Sequence, residues 1–355
     1  MIPIASPDIG DDEKKAVLAV LSSGIIAEGP KVKEFEQAFA NYIGVKHAIA
    51  VSSGTSALHA ALLAHGIGSG DEVITTPFTF IASANSILFT GAKPLFCDIE
   101  EDTYNLDPNQ ITERITKKTK AIMPVHLYGH PAEMKAIMEI AKDHNLLVIE
   151  DACQAHGAEY SGRKVGSFGT GCFSFYPTKN MTSSEGGIIT TDDGEVDRKA
   201  RGIRQHGMFR RYYHEMLGYN LRMTDIAAAI GVEQLKKLPE YNRKRIENAA
   251  YLSKNIKNKT FTLPKVRRGC VHVFHQYTVR HKNRDKVAET LKEKGIGCGI
   301  YYPVPIHQQP HYLSLGYKGN FPKTERACAE VISLPIHPKL TEENLGYIAE
   351  TLNSI

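Results

Sequence analysis

The sequence lacks the features that mark membrane, secreted and nucleic-acid-binding proteins. No segment has about 18 consecutive apolar residues, and the first stretch, MIPIASPDIGDDEKK, has no basic start followed by a long apolar run, so neither a transmembrane helix nor a secretory signal is predicted. No long run of Lys and Arg is present; the nearest approach, KKTK at 117–120, is typical of a solvated loop. We therefore expect no binding to nucleic acid or to a membrane.

Metal-binding and nicotinamide-binding signatures are also missing. The six cysteines are scattered without a CxxC pair or a Cys/His ligand spacing, and the fifteen histidines are scattered as well, so no metal site is predicted. Cysteines of this kind are typical of buried thiols in a reducing compartment, which predicts a cytoplasmic protein. No GxGxxG opens a helix after a strand, which argues against a dinucleotide-binding fold.

What is present is a chain long enough for two domains. It has 355 residues, 42% of them hydrophobic, and a net charge of +4 from 43 basic and 39 acidic residues, which is typical of an ordinary globular protein. From residue 48 onward, strand, loop and helix alternate, an order that predicts an α/β domain with a mostly parallel sheet between layers of helices. Apolar runs predict strands at 48–51, 73–76, 94–97, 120–125, 146–150, 171–176 and 187–191.

The order of elements changes in the last third of the chain. After a helix capped by Thr224, a charged helix at 241–256 is followed by further predicted elements. These are a strand at 271–279, a helix at 286–294, a strand at 298–302 and two terminal helices. This order predicts a smaller α+β domain, and we divide the chain into residues 1–235 and 236–355.

One lysine stands in an unusual context. Lys179 lies between the predicted strands at 171–176 and 187–191, with aromatic residues before it and Ser and Gly turn residues after it. Removal from water disfavours the charged form of a lysine and makes its amine a usable nucleophile. The context therefore indicates Schiff-base chemistry.

Two other features follow predicted strands, where ligands of such sheets bind. The turn SSGTS at 52–56 precedes a helix, so it suits either a phosphate or a plain N-cap. Asp151 ends LLVIED, and it suits either a helix N-cap or a cationic partner. Pyridoxal phosphate (PLP) explains these features together, because it needs a lysine, an acid for its ring nitrogen, an anion site and a ring contact. We assign these four roles to Lys179, Asp151, Gly54–Thr55 and Phe80.

Several longer segments carry a resemblance to a known family. Nearly the whole chain resembles the DegT/DnrJ/EryC1/StrS family of PLP-dependent sugar aminotransferases, which have fold type I. The matching segments, in order, are SSGTSALHAAL at 52–62, DEVITTPFTFIAS at 71–83, PVHLYG at 124–129, VIEDACQAHG at 148–157, FSFYPTKNMTSSEGG at 173–187 and GYNLRMTDIAAAI at 218–230.

The resemblance implies roles for individual residues. It implies Lys179 as the Schiff-base lysine and Asp151 as the partner of the ring nitrogen. Gln154 would lie near the phenolic oxygen, Phe80 would cover the ring, and the phosphate would be held by three residues: Gly54, Thr55 and Ser174. The residue matching Asn220 reaches the cofactor phosphate of the neighbouring subunit in this family, which implies a homodimer with shared active sites.

The activity implied is transfer of an amino group from an amino acid, expected to be glutamate, to a keto group of a nucleotide-linked sugar, as in polysaccharide biosynthesis. Family members that are dehydratases carry a histidine where this chain has Lys179, so the lysine favours transamination. Another PLP-dependent sugar-modifying activity and a regulatory protein that retains the fold stay as alternatives. Substrate contacts are assigned to Tyr176, Arg222 and His307, each of which also suits a packing or surface role.

Overall fold

Strands and helices alternate in the computed structural model, which describes all 355 residues. The strands are β1 His47–Val51, β2 Glu72–Thr75, β3 Lys93–Phe96, β4 Thr119–Ile122, β5 Leu147–Asp151, β6 Glu159–Tyr160, β7 Arg163–Lys164, β8 Thr170–Ser174, β9 Gly187–Thr191, β10 Met208–Arg210, β11 Tyr213–His214, β12 Cys270–Val271, β13 Tyr277–Arg280 and β14 Val331–Leu334.

The helices are α1 Asp11–Ser23, α2 Pro30–Ile43, α3 Gly54–Ala64, α4 Ala82–Phe89, α5 Ile111–Arg114, α6 Met134–Asp143, α7 Gly194–Arg204, α8 Asp225–Asn255, α9 Arg284–Glu293, α10 Pro310–Ser314, α11 Pro322–Glu330 and α12 Glu342–Ser354. Short 3-10 turns lie at Pro108–Gln110, Leu127–Gly129 and Ile306–Gln308. None of these helices combines the length and the apolar composition needed to cross a membrane.

A seven-stranded sheet organises the first two thirds of the chain. Its order is β1-β9-β8-β5-β4-β2-β3, and only β9 runs against its neighbours. The prediction of a mostly parallel sheet between helices is therefore confirmed. Because side chains alternate along a strand, Ile188 and Ile189 of β9 enter separate cores, one on each face of the sheet.

The last part of the chain builds a core of its own. Eighteen buried residues from the end of α8, from β13, β14, α9 and α12, and from the segments that connect them pack together, and Tyr277 of β13 pairs there with Leu334 of β14. Helix α8 runs without a break through 235/236, so the boundary we predicted there falls inside a helix. A two-domain division at this point stays a prediction.

Two predicted strands of this region are wrong in detail. The segment 298–302 forms one isolated bridge, between Gly299 and Ser333, because Tyr301 and Tyr302 both border the cavity described below. Consecutive residues of a strand point to opposite sides, so a strand cannot place both there. The predicted strand at 271–279 is split into β12 and β13 for the same reason, since His275 and Gln276 also border that cavity.

Candidate active site

A cavity of about 520 Å³ lies at the carboxyl ends of the parallel strands. Its walls come from the ends of β5 and β8, the start of α3, the segment before α4, and two segments of the C-terminal core. Such an edge is where ligands of parallel sheets bind, because successive strand ends and helix starts converge there.

Lys179 lies in the wall of this cavity, in the loop that leaves β8. The loop is held by Phe175, whose carbonyl accepts hydrogen bonds from the Ser183 N–H at 3.0 Å and from Thr182 Oγ1 at 2.9 Å. Asn180 adds donor contacts to Asn242 at 2.8 Å and to the Val273 carbonyl at 3.0 Å. The lysine is therefore carried on a fixed loop.

The environment of Lys179 favours its neutral amine. Burial lowers the pKa of the ammonium group, and the nearby Cys153 and Asp151 oppose this shift only in part. No salt bridge pairs Lys179 with a carboxylate. This is the state expected of a nucleophilic lysine.

Asp151 ends β5 and is 5% exposed. One carboxylate oxygen, Oδ1, accepts from the Cys153 N–H at 3.2 Å, and the other, Oδ2, accepts from Ser83 Oγ at 2.6 Å. No helix begins after Asp151, so the helix N-cap alternative is wrong. A buried carboxylate that borders a cavity and forms no salt bridge suits a ligand that brings a positive charge.

The turn after β1 is a helix N-cap and also has free N–H groups that suit a phosphate. Ser53 is the N-cap of α3, and its Oγ accepts from the Ser56 N–H at 3.1 Å. The N–H groups of Gly54 and Thr55 belong to the first turn of the helix, where no backbone acceptor is available, and both residues border the cavity. A Cβ on Gly54 would lie 2.6 Å from the Cβ of Ser174, so only glycine lets β8 approach this turn.

Phe80 and Gln154 line other walls of the cavity. The Phe80 side chain is 55% exposed, and its ring centroid lies 6.0 Å from that of Tyr302. Gln154 is oriented from both ends: Oε1 accepts from the Tyr128 N–H at 2.9 Å, and Nε2 donates to the Tyr302 hydroxyl at 3.2 Å. Burial raises the pKa of Tyr302 above the usual tyrosine value, so its hydroxyl stays protonated.

The three assigned substrate residues lie in different places. Tyr176 borders the cavity and is 48% exposed. His307 is buried instead against Phe321, with ring centroids 4.7 Å apart, and it is absent from the cavity wall. Arg222 borders a second cavity of about 460 Å³ and donates to Gln205 Oε1 at 2.8 Å.

Asn220 also lies outside the main cavity of its own chain. It forms a bridge with Gln205, while Arg222 forms one with Val51. Asn220 and Arg222 are therefore two positions apart on one extended segment, and side chains with this spacing share a side.

Several cavity residues were missed from the sequence. Tyr302, His275 and Gln276 come from the C-terminal core, and Ser83 comes from the first turn of α4. A Ser in a helix or a Tyr near a turn carries no distinctive sequence signal, so only the fold reveals them.

The residues present fit PLP. They supply a buried lysine with a lowered pKa, a buried carboxylate without a salt bridge, free N–H groups at a helix start, and a glycine whose missing Cβ leaves room for close approach. No three His, Cys, Asp or Glu side chains come together as metal ligands. The set therefore matches the chemistry of PLP, which needs a lysine and an acid.

Comparisons with known proteins also indicate an aminotransferase. The model of the DegT/DnrJ/EryC1/StrS aminotransferase family matches residues 7–353. The chain is 47% identical over 339 residues to a "Pleiotropic regulatory protein" of Geobacillus stearothermophilus, with 94% of this chain and 91% of the relative covered. It is 42% identical over 335 residues to the UDP-N-acetyl-3-dehydro-alpha-D-glucosamine 3-aminotransferase of Acidithiobacillus ferrooxidans, covering 94% of this chain and 90% of that protein.

A solved structure is also similar over nearly the whole chain. S. venezuelae DesV, crystallised in complex with a ketimine intermediate, is similar with a TM-score of 0.94 and 39% sequence identity, over 97% of this chain and 94% of DesV.

Proposed function

Because the chain belongs to the DegT/DnrJ/EryC1/StrS aminotransferase family, we propose that it moves the amino group of glutamate to a keto group of a sugar carried on a nucleotide. Its fold is fold type I, and the enzyme is a PLP-dependent aminotransferase. The observation that carries the proposal is that Lys179, Asp151 and the Gly54–Thr55 turn border one cavity.

We propose a role toward PLP for each of the main cavity residues. Lys179 supplies the amine for the cofactor's aldehyde, and Asp151 faces the ring nitrogen. Gly54, Thr55 and Ser174 hold the phosphate through N–H and hydroxyl donors. Phe80 covers the ring, and Gln154 donates to the phenolic oxygen.

Bound PLP supplies an electron sink that stabilises negative charge on the amino-acid carbon. Asp151, a buried carboxyl group at the cavity wall, would pair with the ring nitrogen and favour its protonated form. With the cofactor and substrate bound, Lys179 would be the base that accepts at Nζ the proton leaving the amino-acid carbon. The lowered pKa of Lys179 supports this step, since only the neutral amine accepts a proton.

A second copy of the chain completes the site in our proposal. Lys179 is the only Lys or Arg in the cavity wall, where it is accompanied by the carboxylates of Asp151 and Glu185. A nucleotide diphosphate and a dicarboxylate donor are both anions and need further cations. Asn220 and Arg222, on one side of an extended segment, are proposed to reach the cavity of the partner.

Exposed apolar residues beside this segment support the same proposal. The hairpin of β10 and β11 and the chain after it present Tyr212, Tyr213 and Leu217, which are 74%, 56% and 78% exposed. Such neighbouring side chains are typical of a surface that packs against another chain.

The proposal is tested in two half-reactions. The purified yellow protein should lose its visible band when glutamate is added, as the cofactor takes up the amino group, and the band should return with a suitable keto sugar on UDP, GDP or dTDP. Product masses identify the sugar. Lys179→Ala, which lacks the amine, is the control, and glutamate should cause no loss of the visible band in this variant.

Two alternatives predict different results. A bound cofactor that never responds to an amino donor would indicate another PLP-dependent activity. Since the Geobacillus stearothermophilus relative is a "Pleiotropic regulatory protein", a single-turnover measurement tests the second alternative: a regulatory protein without chemistry would give no aminated product.

A further inference from the structure

The carboxylate of Asp151 is held by hydroxyl groups from a distant part of the chain. Ser83, in the first turn of α4, donates from Oγ to Asp151 Oδ2 at 2.6 Å. Ser83 is 1% exposed and Asp151 5% exposed. A hydrogen bond this short to a buried carboxylate is of the charge-assisted kind, which is stronger than a bond between neutral groups.

The direction of each proton in this network follows from its partners. Ser83 is the donor of the bond to Asp151 Oδ2, so its single hydroxyl proton points to Asp151. Thr79 Oγ1 lies 3.0 Å from Ser83 Oγ and therefore acts as donor to it. The carbonyl of Phe80, 3.2 Å from Ser83 Oγ, competes for the same proton and offers the weaker acceptor.

We infer that Ser83 is a positioning residue of the reaction, which with Thr79 behind it fixes the carboxylate of Asp151 toward the cofactor ring nitrogen. The inference rests on the proposed role of Asp151. Ser83 gives Oδ2 a donor, as the Cys153 N–H does for Oδ1, so the side chain is held at both oxygens. The segment from Thr79 to Ser83 also carries Phe80, so one short stretch places the ring contact and the acid together.

A matched control lies one turn further along the same helix. Ser86 is fully buried and donates from Oγ to the Ser83 carbonyl at 2.8 Å, but it does not contact Asp151 or the cavity. Ser83→Ala and Ser86→Ala therefore remove the same hydroxyl group from the same helix, but only Ser83→Ala removes a hydrogen bond to Asp151.

The test measures PLP binding by the cofactor-free protein as a double-mutant cycle. Ser83→Ala should weaken PLP binding about tenfold, because it removes a charge-assisted hydrogen bond from the acid. Thr79→Val should weaken it about threefold, since it removes only the donor behind Ser83. Ser86→Ala should leave the affinity unchanged, and in the Asp151→Ala background Ser83→Ala should have no further effect.

Urea unfolding of the cofactor-free proteins gives a second cycle, because the hydrogen bond exists without PLP. The effects of Ser83→Ala and Asp151→Ala on the unfolding midpoint should be less than additive. Equal losses of PLP affinity in Ser83→Ala and Ser86→Ala, or an undiminished effect of Ser83→Ala in the Asp151→Ala background, would overturn the inference. If Asp151→Ala alone leaves PLP affinity unchanged, the proposed role of Asp151 fails instead.

Discussion

At the scale of single residues, Lys179 is held in an environment that does not suit its charge. Burial lowers its pKa in the folded chain, while the unfolded chain restores an ordinary value of about 10.4. Between the folded pKa and that value the unfolded state binds more protons at this position, and the free-energy difference built up over this range destabilises the folded, cofactor-free protein at lower pH values, including neutral pH. Activity and stability are opposed at this residue.

We expect Lys179→Met to raise the urea midpoint of the cofactor-free protein. Methionine fills a similar volume without a charge, so the desolvation penalty disappears. The difference from wild type should be fully present at pH values below the folded pKa of Lys179 and should shrink as the pH rises toward about 10, where the unfolded lysine also loses its proton. Unfolding curves at several pH values measure this.

A control variant checks that the gain belongs to position 179. Lys236 lies on the exposed side of α8, where its side chain is 62% exposed, so Lys236→Met should leave the midpoint nearly unchanged. A lower midpoint for Lys179→Met at neutral pH would contradict the prediction.

Residues with unusual chemistry could be found from the sequence, and ordinary ones could not. Lys179 and Asp151 are ionisable residues within apolar stretches of the sequence, and the structure brings both to one cavity. Tyr302 and Ser83 have no such signal. Tyr302 accepts a hydrogen bond from Gln154 and Ser83 donates one to Asp151, and in both pairs the partners are far apart in the sequence. His307 was assigned from its local motif, yet its ring packs against Phe321.

At the scale of elements, the start of α2 depends on an acid from another helix. Asp225, the first residue of α8, is 2% exposed and accepts from the N–H groups of Gly29 at 2.8 Å, Lys31 at 3.2 Å and Val32 at 3.1 Å. These donors have no partner within α2, because the first N–H groups of a helix face outward. One carboxylate therefore caps α2 and joins it to α8.

We expect Asp225→Ala to destabilise the protein by about 2 kcal/mol, because it leaves buried N–H groups without an acceptor. Asp193, the exposed N-cap of α7, accepts from Glu195 and Val196 and is the control. Asp193→Ala should cost only about 1 kcal/mol, since water replaces its oxygen. Urea unfolding measures both losses, provided that the dependence of the unfolding free energy on urea concentration is the same in all variants. Equal losses in the two variants would contradict the special role of Asp225.

Most elements of the large sheet were predictable because apolar runs and turn residues mark them. Strand β9 lies at 187–191 as predicted, and the left-handed Gly44 ends α2 as its C-cap. Two helices were expected between residues 224 and 256, yet α8 is continuous and contains Pro239. A proline inside a helix costs about 3 kcal/mol. Packing of Leu235 and Leu238 in the large core offsets it, and the sequence alone does not show that packing.

At the scale of the whole molecule, the proposed sharing of sites can be tested by mixing inactive chains. In a hybrid dimer of Lys179→Ala with Asn220→Ala, one site lacks both groups, and the other combines an intact Lys179 with an intact Asn220. Random mixing should therefore restore about a quarter of the wild-type sites. Activity of the mixture, after denaturation and refolding together, measures this.

A control distinguishes active sites shared between two chains from the summed activities of two independent variants. The two variants refolded separately and then combined should show only the sum of their own activities. If co-refolding gives no more than that sum, Asn220 acts within its own chain, and the proposed dimer loses its main support.

The position of β1 has a consequence for the order in which the protein matures. This strand leads into the Gly54 turn, yet in the sheet it pairs only with β9, and Gly187 of β9 packs directly against the carbonyl of Ser53. During synthesis the Gly54 turn therefore cannot reach its final packing until β9, more than a hundred residues later in the chain, has left the ribosome. Distant pairings of this kind form slowly. We therefore expect the anion site at the Gly54 turn to form only after β9 has paired with β1.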